Sequence, residues 1–217
     1  MTTAIATPFL KAQRHLARRD PVLKKLVAAV GPCTLRHDAD RFGALVRAII
    51  AQQISTRAAA AIHGRLTEAL AATGVTAAAV LALPARGLRA AGLSTAKARA
   101  LADLADHVRR GALALDTLHL LPDEEIISRL LPVRGIGRWT AEMFLIFSLG
   151  RFDVLPVTDW GLRVGARQQY GLGRAPGKAQ LTALAEPWRP YRTVATWYLW
   201  RSLGFVPQSG LNIEDRG

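Results

Sequence analysis

The 217-residue sequence predicts an all-α protein. Three observations carry that expectation. Apolar residues recur at the three- and four-residue spacing of buried helix faces. Capping residues and glycines punctuate those runs at both ends. No alternating strand pattern and no repeat of 20–50 residues interrupts them. Roughly ten helices are expected, with boundaries good to a few residues.

The elements follow in order. The residues before the core read as helix, and Asp20-Pro21 opens one helix with Asp as N-cap, Pro at the first position and Gly31 as the stop. Phe42, Leu45, Val46, Ile49 and Ile50 form the buried stripe of the next. Ser55 caps a long helix carrying Ala59, Ile62, Leu66 and Leu70, closed near Gly74. A short helix around Val80 ends before Pro84, and another runs from Ser94 through Ala98, Leu101 and Val108 to Gly111. Pro122-Asp123-Glu124-Glu125 is the acidic first turn of a helix that leads into Gly135-Ile136-Gly137. A second apolar helix begins at that turn. After Gly150 come an extended stretch from Phe152 to Pro156, a helix from about Asp159, one around Leu181 and one from Tyr191 to Leu203. Gly173 to Gly177 reads as loop, and Pro207 to Gly217 as a frayed tail.

Composition narrows the partners. Half of the residues are apolar, enough for a substantial core, and 29 Lys and Arg against 16 Asp and Glu give a net charge of +13. That excess favours a polyanion, nucleic acid ahead of membrane, although a solubility or genome-composition bias gives the same balance. The single cysteine, Cys33, leaves no intrachain disulfide, Cys₄ zinc site or iron–sulfur cluster. The five histidines show no metal-ligand spacing, so neither a catalytic metal nor a cofactor is expected. The longest strongly apolar run, Met143 to Leu149, is far shorter than a bilayer span, and no signal-type h-region opens the chain. A cytoplasmic, nucleoid-associated monomer with no membrane partner is the expectation.

The stretch from Leu131 to Met143, followed by Asp159, is the most informative. Glycines at a turn let backbone N–H groups approach a phosphate, and a helix N-terminus at the same point adds partial positive charge. Arg134 and Arg138 flank the turn, placed to meet phosphate. An ordinary αα-hairpin, whose glycines serve backbone geometry alone, is the competing reading. Asp159 begins an apolar helix, where it serves as N-cap, and the helix dipole favours an ionised carboxylate there.

Three blocks together resemble the helix-hairpin-helix DNA glycosylase superfamily, and within it the alkylation-repair branch of the 3-methyladenine DNA glycosylase II type. They are Ile50-Ala-Gln-Gln-Ile-Ser55, the hairpin with Leu155-Pro-Val-Thr-Asp-Trp-Gly-Leu-Arg163, and Trp188-Arg-Pro-Tyr-Arg192 leading to Trp197 and Trp200. The resemblance runs from about Phe42 to Gly204. It implies two helical lobes with a cleft between them that binds DNA and the base. Residues 40–150 would form a six-helix lobe ending in the hairpin, and residues 1–39 with 151–217 the lobe that carries Asp159. The sheet-containing N-terminal domain of the well-known bacterial alkylation enzyme has no counterpart among the forty or so residues before the core, so a compact version is expected.

The resemblance also implies roles. Asp159 is the catalytic acid. Trp139, Met143 and Trp200 match positions that line the base pocket, where indole faces would attract a cationic alkylpurine. Met143 stands where an aromatic is common, which leaves the substrate range open. In the lyase branch a lysine holds position 139, and Trp139 there implies a monofunctional glycosylase without Schiff-base chemistry. Gln52 and Gln53 occupy the junction that fills the hole left by a flipped nucleotide, with Gln53 aligned to the usual wedge. Gln52, Gln53, Ser55, Arg134, Gly135, Ile136, Gly137 and Arg138 are the expected DNA contacts, with Arg57, Arg163 and Arg192 as weaker ones. The carbonyls of Leu131, Val133 and Gly135 match a site for a monovalent cation. Trp160, Trp188 and Trp197 are assigned to packing.

The implied function is hydrolysis of the N-glycosidic bond of alkylated purines, of the 3-methyladenine and 7-methylguanine type, in double-stranded DNA. This step initiates base excision repair. Two alternatives stand beside it: a glycosylase for oxidised, deaminated or mismatched bases, and a non-catalytic helix-hairpin-helix DNA-binding module.

Overall fold

The structure is a computed structural model and describes residues 7–204. Twelve α-helices occur among the described residues, with two 3₁₀ turns at Leu118–Leu120 and Glu186–Trp188 and no strand. They are α1 (Thr7–Arg19), α2 (Pro21–Val30), α3 (Arg41–Ala51), α4 (Thr56–Ala69), α5 (Ala77–Ala82), α6 (Ala85–Ala90), α7 (Thr95–Arg109), α8 (Asp123–Leu130), α9 (Arg138–Phe147), α10 (Trp160–Gln169), α11 (Lys178–Leu184) and α12 (Arg192–Arg201). The all-α expectation holds. Asp20, Ser55, Ser94 and Asp159 each cap the helix that the sequence assigned to them. α6 is the helix that sequence reading missed. It has six residues, Pro84 at its N-cap and no side-chain cap bond, so no start signal marks it. The tail from Pro207 lies outside the described residues.

The described chain divides into two compact units, Asp38–Leu149 and, from both ends of the sequence, residues 7–37 with 150–204. In the first, α3 packs against α4, α7 and α9, while α5 and α6 lie on α7 and α8 pairs with α9. Leu45, Val46, Ile49 and Ile50 of α3 are fully buried, as are Leu101 and Leu104 of α7, whereas Phe42 is half-buried. α9 is buried at every position from Thr140 to Phe147, including the charged Glu142. Arg138, one turn earlier, meets that carboxylate at 3.1 Å.

In the second unit α12 packs against α1, α2 and α10. Every residue of α12 from Thr193 to Trp200 is buried, so no polar face survives, as expected of a helix enclosed on all sides. Asp20 joins the two segments of this unit. Its Oδ1 accepts the N–H groups of Val22 and Leu23 at 2.8 and 3.0 Å, and its Oδ2 accepts the Tyr170 hydroxyl at 2.6 Å and the Trp188 indole N–H at 2.9 Å. Four donors on one buried carboxylate satisfy a charge that would otherwise be expensive to bury.

Candidate active site and nucleic-acid interface

The hairpin turn joins α8 to α9 by a short path that needs one left-handed residue. Gly135 supplies it at φ +80°, and a Cβ there would stand 3.2 Å from the Ala100 side chain. Gly137 differs. It has an ordinary φ of −95° at the N-cap of α9, and a Cβ on it would meet nothing within 4 Å. No fold contact therefore requires glycine at 137. Both glycines are exposed, and neither N–H donates to another group among the described residues. No side chain caps α9. The turn thus presents two backbone donors at a helix N-terminus, the arrangement that binds a phosphate oxygen.

The residues around the turn sort into anchors and outward groups. Ile136 is an anchor, because its side chain is buried and its N–H is given to the Val133 carbonyl. Its one backbone donor is therefore already used within the turn. Arg138 is held by acidic neighbours. Its guanidinium pairs with Glu124 and with Glu142, and its hydrogen bonds to Glu124 hold that carboxyl below the usual range. Arg134 is exposed, and its backbone N–H is held by the Asp103 carboxylate at 2.7 Å. Of the three carbonyls matched to a cation site, that of Val133 accepts from Ile136 and that of Gly135 from the Gln52 side chain. Trp139 is 40% exposed, an unusual state for so large an apolar group, while Met143 one turn on is buried.

The α3–α4 turn lies in the same unit. Gln52 Nε2 donates to the Gly135 carbonyl at 2.8 Å, so Gln52 braces the hairpin. Gln53 is exposed and adopts φ +58°, the one non-glycine residue with positive φ among those described. A left-handed conformation in a residue with a Cβ persists where surrounding contacts impose it, and such residues cluster at binding sites. Ile54 beside it is also exposed. Ser55 accepts the Ala58 N–H at 3.3 Å as the α4 cap, and Arg57 is exposed.

Asp159 belongs to the other unit. The 3₁₀-like turn before it closes with its N–H bonded to the Pro156 carbonyl, and α10 starts at the next residue. Its Oδ1 accepts two donors, the Leu162 N–H at 2.6 Å and the Trp200 indole N–H at 2.8 Å. The carboxylate is 6% exposed, and Trp200 is fully buried. Two elements distant in sequence thus orient one acid. Gly165 lets them meet, because a Cβ there would sit 2.8 Å from the Leu199 backbone carbonyl of α12.

Other assignments move. Trp160 is 67% exposed with the Arg163 guanidinium 5.7 Å from its ring centroid, which corrects its assignment to packing, whereas Trp188 and Trp197 are buried as expected. Arg163 also donates to the Pro176 carbonyl, and Arg192 donates to both the side chain and the carbonyl of Asp153. Both are tied into the fold rather than presented outward. Sequence reading missed Lys97 and Asp103, whose only signal is a polar residue on the buried side of α7. Among the described residues no group of three or more His, Cys, Asp or Glu could hold a metal ion, and no helix is long and apolar enough to cross a membrane.

Comparison with known proteins fits this geometry. Residues 46–190 match the HhH-GPD superfamily of base excision DNA repair proteins. The chain belongs to that superfamily. It is 35% identical over 204 residues to DNA-3-methyladenine glycosylase 1 of Schizosaccharomyces pombe, covering 91% of this chain and 89% of that protein. Among solved structures it resembles the S. pombe 3-methyladenine DNA glycosylase in complex with abasic DNA, at TM-score 0.79 and 33% identity, covering 93% of this chain and 100% of that one. The DNA-3-methyladenine glycosidase of Bacillus halodurans is similar at TM-score 0.82 and 36% identity, over 93% and 92%.

Proposed function

We propose that this chain is a monofunctional DNA glycosylase that releases alkylated purines from double-stranded DNA and so initiates base excision repair. The observation that carries the reading is Asp159, a buried carboxylate at a helix start whose Oδ1 is fixed by Leu162 and Trp200. Relatives named as 3-methyladenine glycosylases support the substrate class. The relative bound to abasic DNA supports the partner.

The chemistry follows from the groups present. An alkylated purine carries positive charge, so it leaves with the bonding electron pair as a neutral base and needs no strong general acid. Breaking the C1′–N bond moves positive charge onto the sugar. Ionised Asp159 stabilises that oxocarbenium-like state, as a carboxylate does in glycoside hydrolysis. Water then adds its oxygen to C1′ and gives up a proton, leaving an abasic site. The Gly135 and Gly137 N–H groups hold a backbone phosphate, Arg134 adds charge, and Gln53 fills the vacated stack. The carbonyls of Leu131, Val133 and Gly135 would hold a monovalent cation, which would add positive charge to the hairpin. Trp139 offers an indole face to the cationic base. With Trp139 in place of an amine, no imine forms and the strand stays intact. The protein is read as a monomer acting on nucleoid DNA in the cytoplasm, and its charge of +13 supports the nucleic-acid partner.

Mass spectrometry of bases released from methylated DNA tests this. Wild type should release methylated purines, and Asp159→Asn should release none while still binding duplex. Activity retained in Asp159→Asn overturns the assignment of the acid. Release of 8-oxoguanine, uracil or hypoxanthine in preference to methylated purines overturns the substrate class.

A further inference from the structure

The turn that carries Gln53 and the hairpin are joined through one helix. Lys97, near the start of α7, places its ammonium 2.7 Å from the Ile50 carbonyl and 2.8 Å from the Gln52 carbonyl. These are a last-turn carbonyl of α3 and that of its cap, groups that a helix C-terminus leaves without intrahelical partners and at the negative end of its dipole. One turn along α7, Ala100 meets the hairpin at Gly135, and one turn further Asp103 holds the Arg134 N–H at 2.7 Å. Gln52 closes the loop from the other side, with its backbone held by Lys97 and its side-chain amide bonded to the Gly135 carbonyl at 2.8 Å.

We infer that Lys97 is a positioning residue for the DNA-reading surface: by clamping the Ile50 and Gln52 carbonyls it holds Gln53 in its left-handed conformation, in register with the hairpin through Gln52. The inference rests on the reading of Gln53 as the gap-filling residue. A lysine on a basic DNA-repair protein invites assignment as a phosphate contact, but this ammonium is half-buried and already bonded to two backbone carbonyls. Burial also pulls it below the ordinary lysine range, the opposite of what an exposed phosphate clamp experiences. The backbone at Gln53 is strained unless something imposes it, and the clamp is the contact that fixes the chain on its N-terminal side.

The phosphate-contact and clamp roles predict different behaviour in solution. Binding is measured by fluorescence anisotropy with an intact duplex and with one carrying a tetrahydrofuran abasic analogue, across a series of salt concentrations. Lys97→Met should lower the preference for the abasic duplex about tenfold and leave the salt slope as in wild type. Lys97→Arg, which keeps two donors and the charge, should recover most of the preference. In a Gln53→Ala background, Lys97→Met should have little further effect, because the two act through one another. A salt slope shallower by about one in Lys97→Met would make Lys97 a phosphate contact and overturn the inference. Unchanged preference with a lowered Tm would make the clamp purely structural and overturn it as well, as would full additivity with Gln53→Ala. Base release by wild type, measured in parallel, separates this result from the glycosylase reading. Release with no effect of Lys97→Met on preference defeats the clamp alone, whereas no release defeats the enzymatic assignment.

Discussion

At the scale of single residues, Asp159 shows how a signal and its completion differ. An Asp placed just before an apolar run is visible as a helix cap, and it caps α10 through Leu162. The Trp200 indole that reaches the same oxygen comes from 41 residues away, and nothing in the spacing of α12 marks it. That bond assigns Trp200 the task of holding the carboxylate. Trp200→Phe keeps the ring and removes the N–H. Since a hydrogen bond to a charged group contributes about 1.5–3 kcal/mol, kcat for base release should fall roughly tenfold or more with KM nearly unchanged. Single-turnover release set against steady-state KM separates the two, and a change confined to KM would remove Trp200 from the positioning of the acid. Gln53 was legible as a polar residue at a helix end, but its left-handed backbone was not. Propensity permits that conformation without demanding it, and the neighbours that impose it lie on α7.

At the scale of elements, the hairpin was the most legible part of the chain, because its two glycines, its preceding acidic turn and its following apolar helix are all local. The structure divides those glycines by physics. Gly135 is required by backbone geometry and by Ala100, whereas Gly137 stands in open space at a φ that any residue adopts. Gly137→Ala should therefore leave Tm unchanged or slightly raised, through a less disordered unfolded chain, while weakening duplex binding about tenfold because the new methyl occupies the approach to the α9 N-terminus. Calorimetry and anisotropy on the same preparation check it. Undiminished binding would remove the phosphate from that position. The partners of the arginines were illegible for a complementary reason. A sequence shows that Arg138 and Arg192 are cationic but not that Glu124, Glu142 and Asp153 neutralise them, since the partners at Glu124 and Asp153 come from other elements.

At the scale of the whole molecule, the second unit is built from both ends of the described chain, and Asp20 binds them together. Its partners Tyr170 and Trp188 lie 150 and 168 residues away. Asp20→Ala removes the α2 cap and leaves a buried hydroxyl and indole N–H without an acceptor, a loss of about 3 kcal/mol. Thermal unfolding should show a clearly lower Tm, while the hairpin residues, which belong to the other unit, keep their local structure. A Tm equal to that of wild type would mean that water replaces the carboxylate.

The sequence by itself determined the helical class, most helix starts, the hairpin and Asp159 as the cap of α10, because periodicity, caps and glycines act over a few residues. The tertiary structure decided which side chains remain available at the hairpin and what orients Asp159. It decided as well that α7, a helix legible in sequence but without a site signal, reaches both the Gln53 turn and the hairpin through Lys97, Ala100 and Asp103. The physical reason is the same in each case. An ion pair or a buried hydrogen bond depends on distance in space, and residues 14 to 168 apart in the chain become neighbours only once the helices pack.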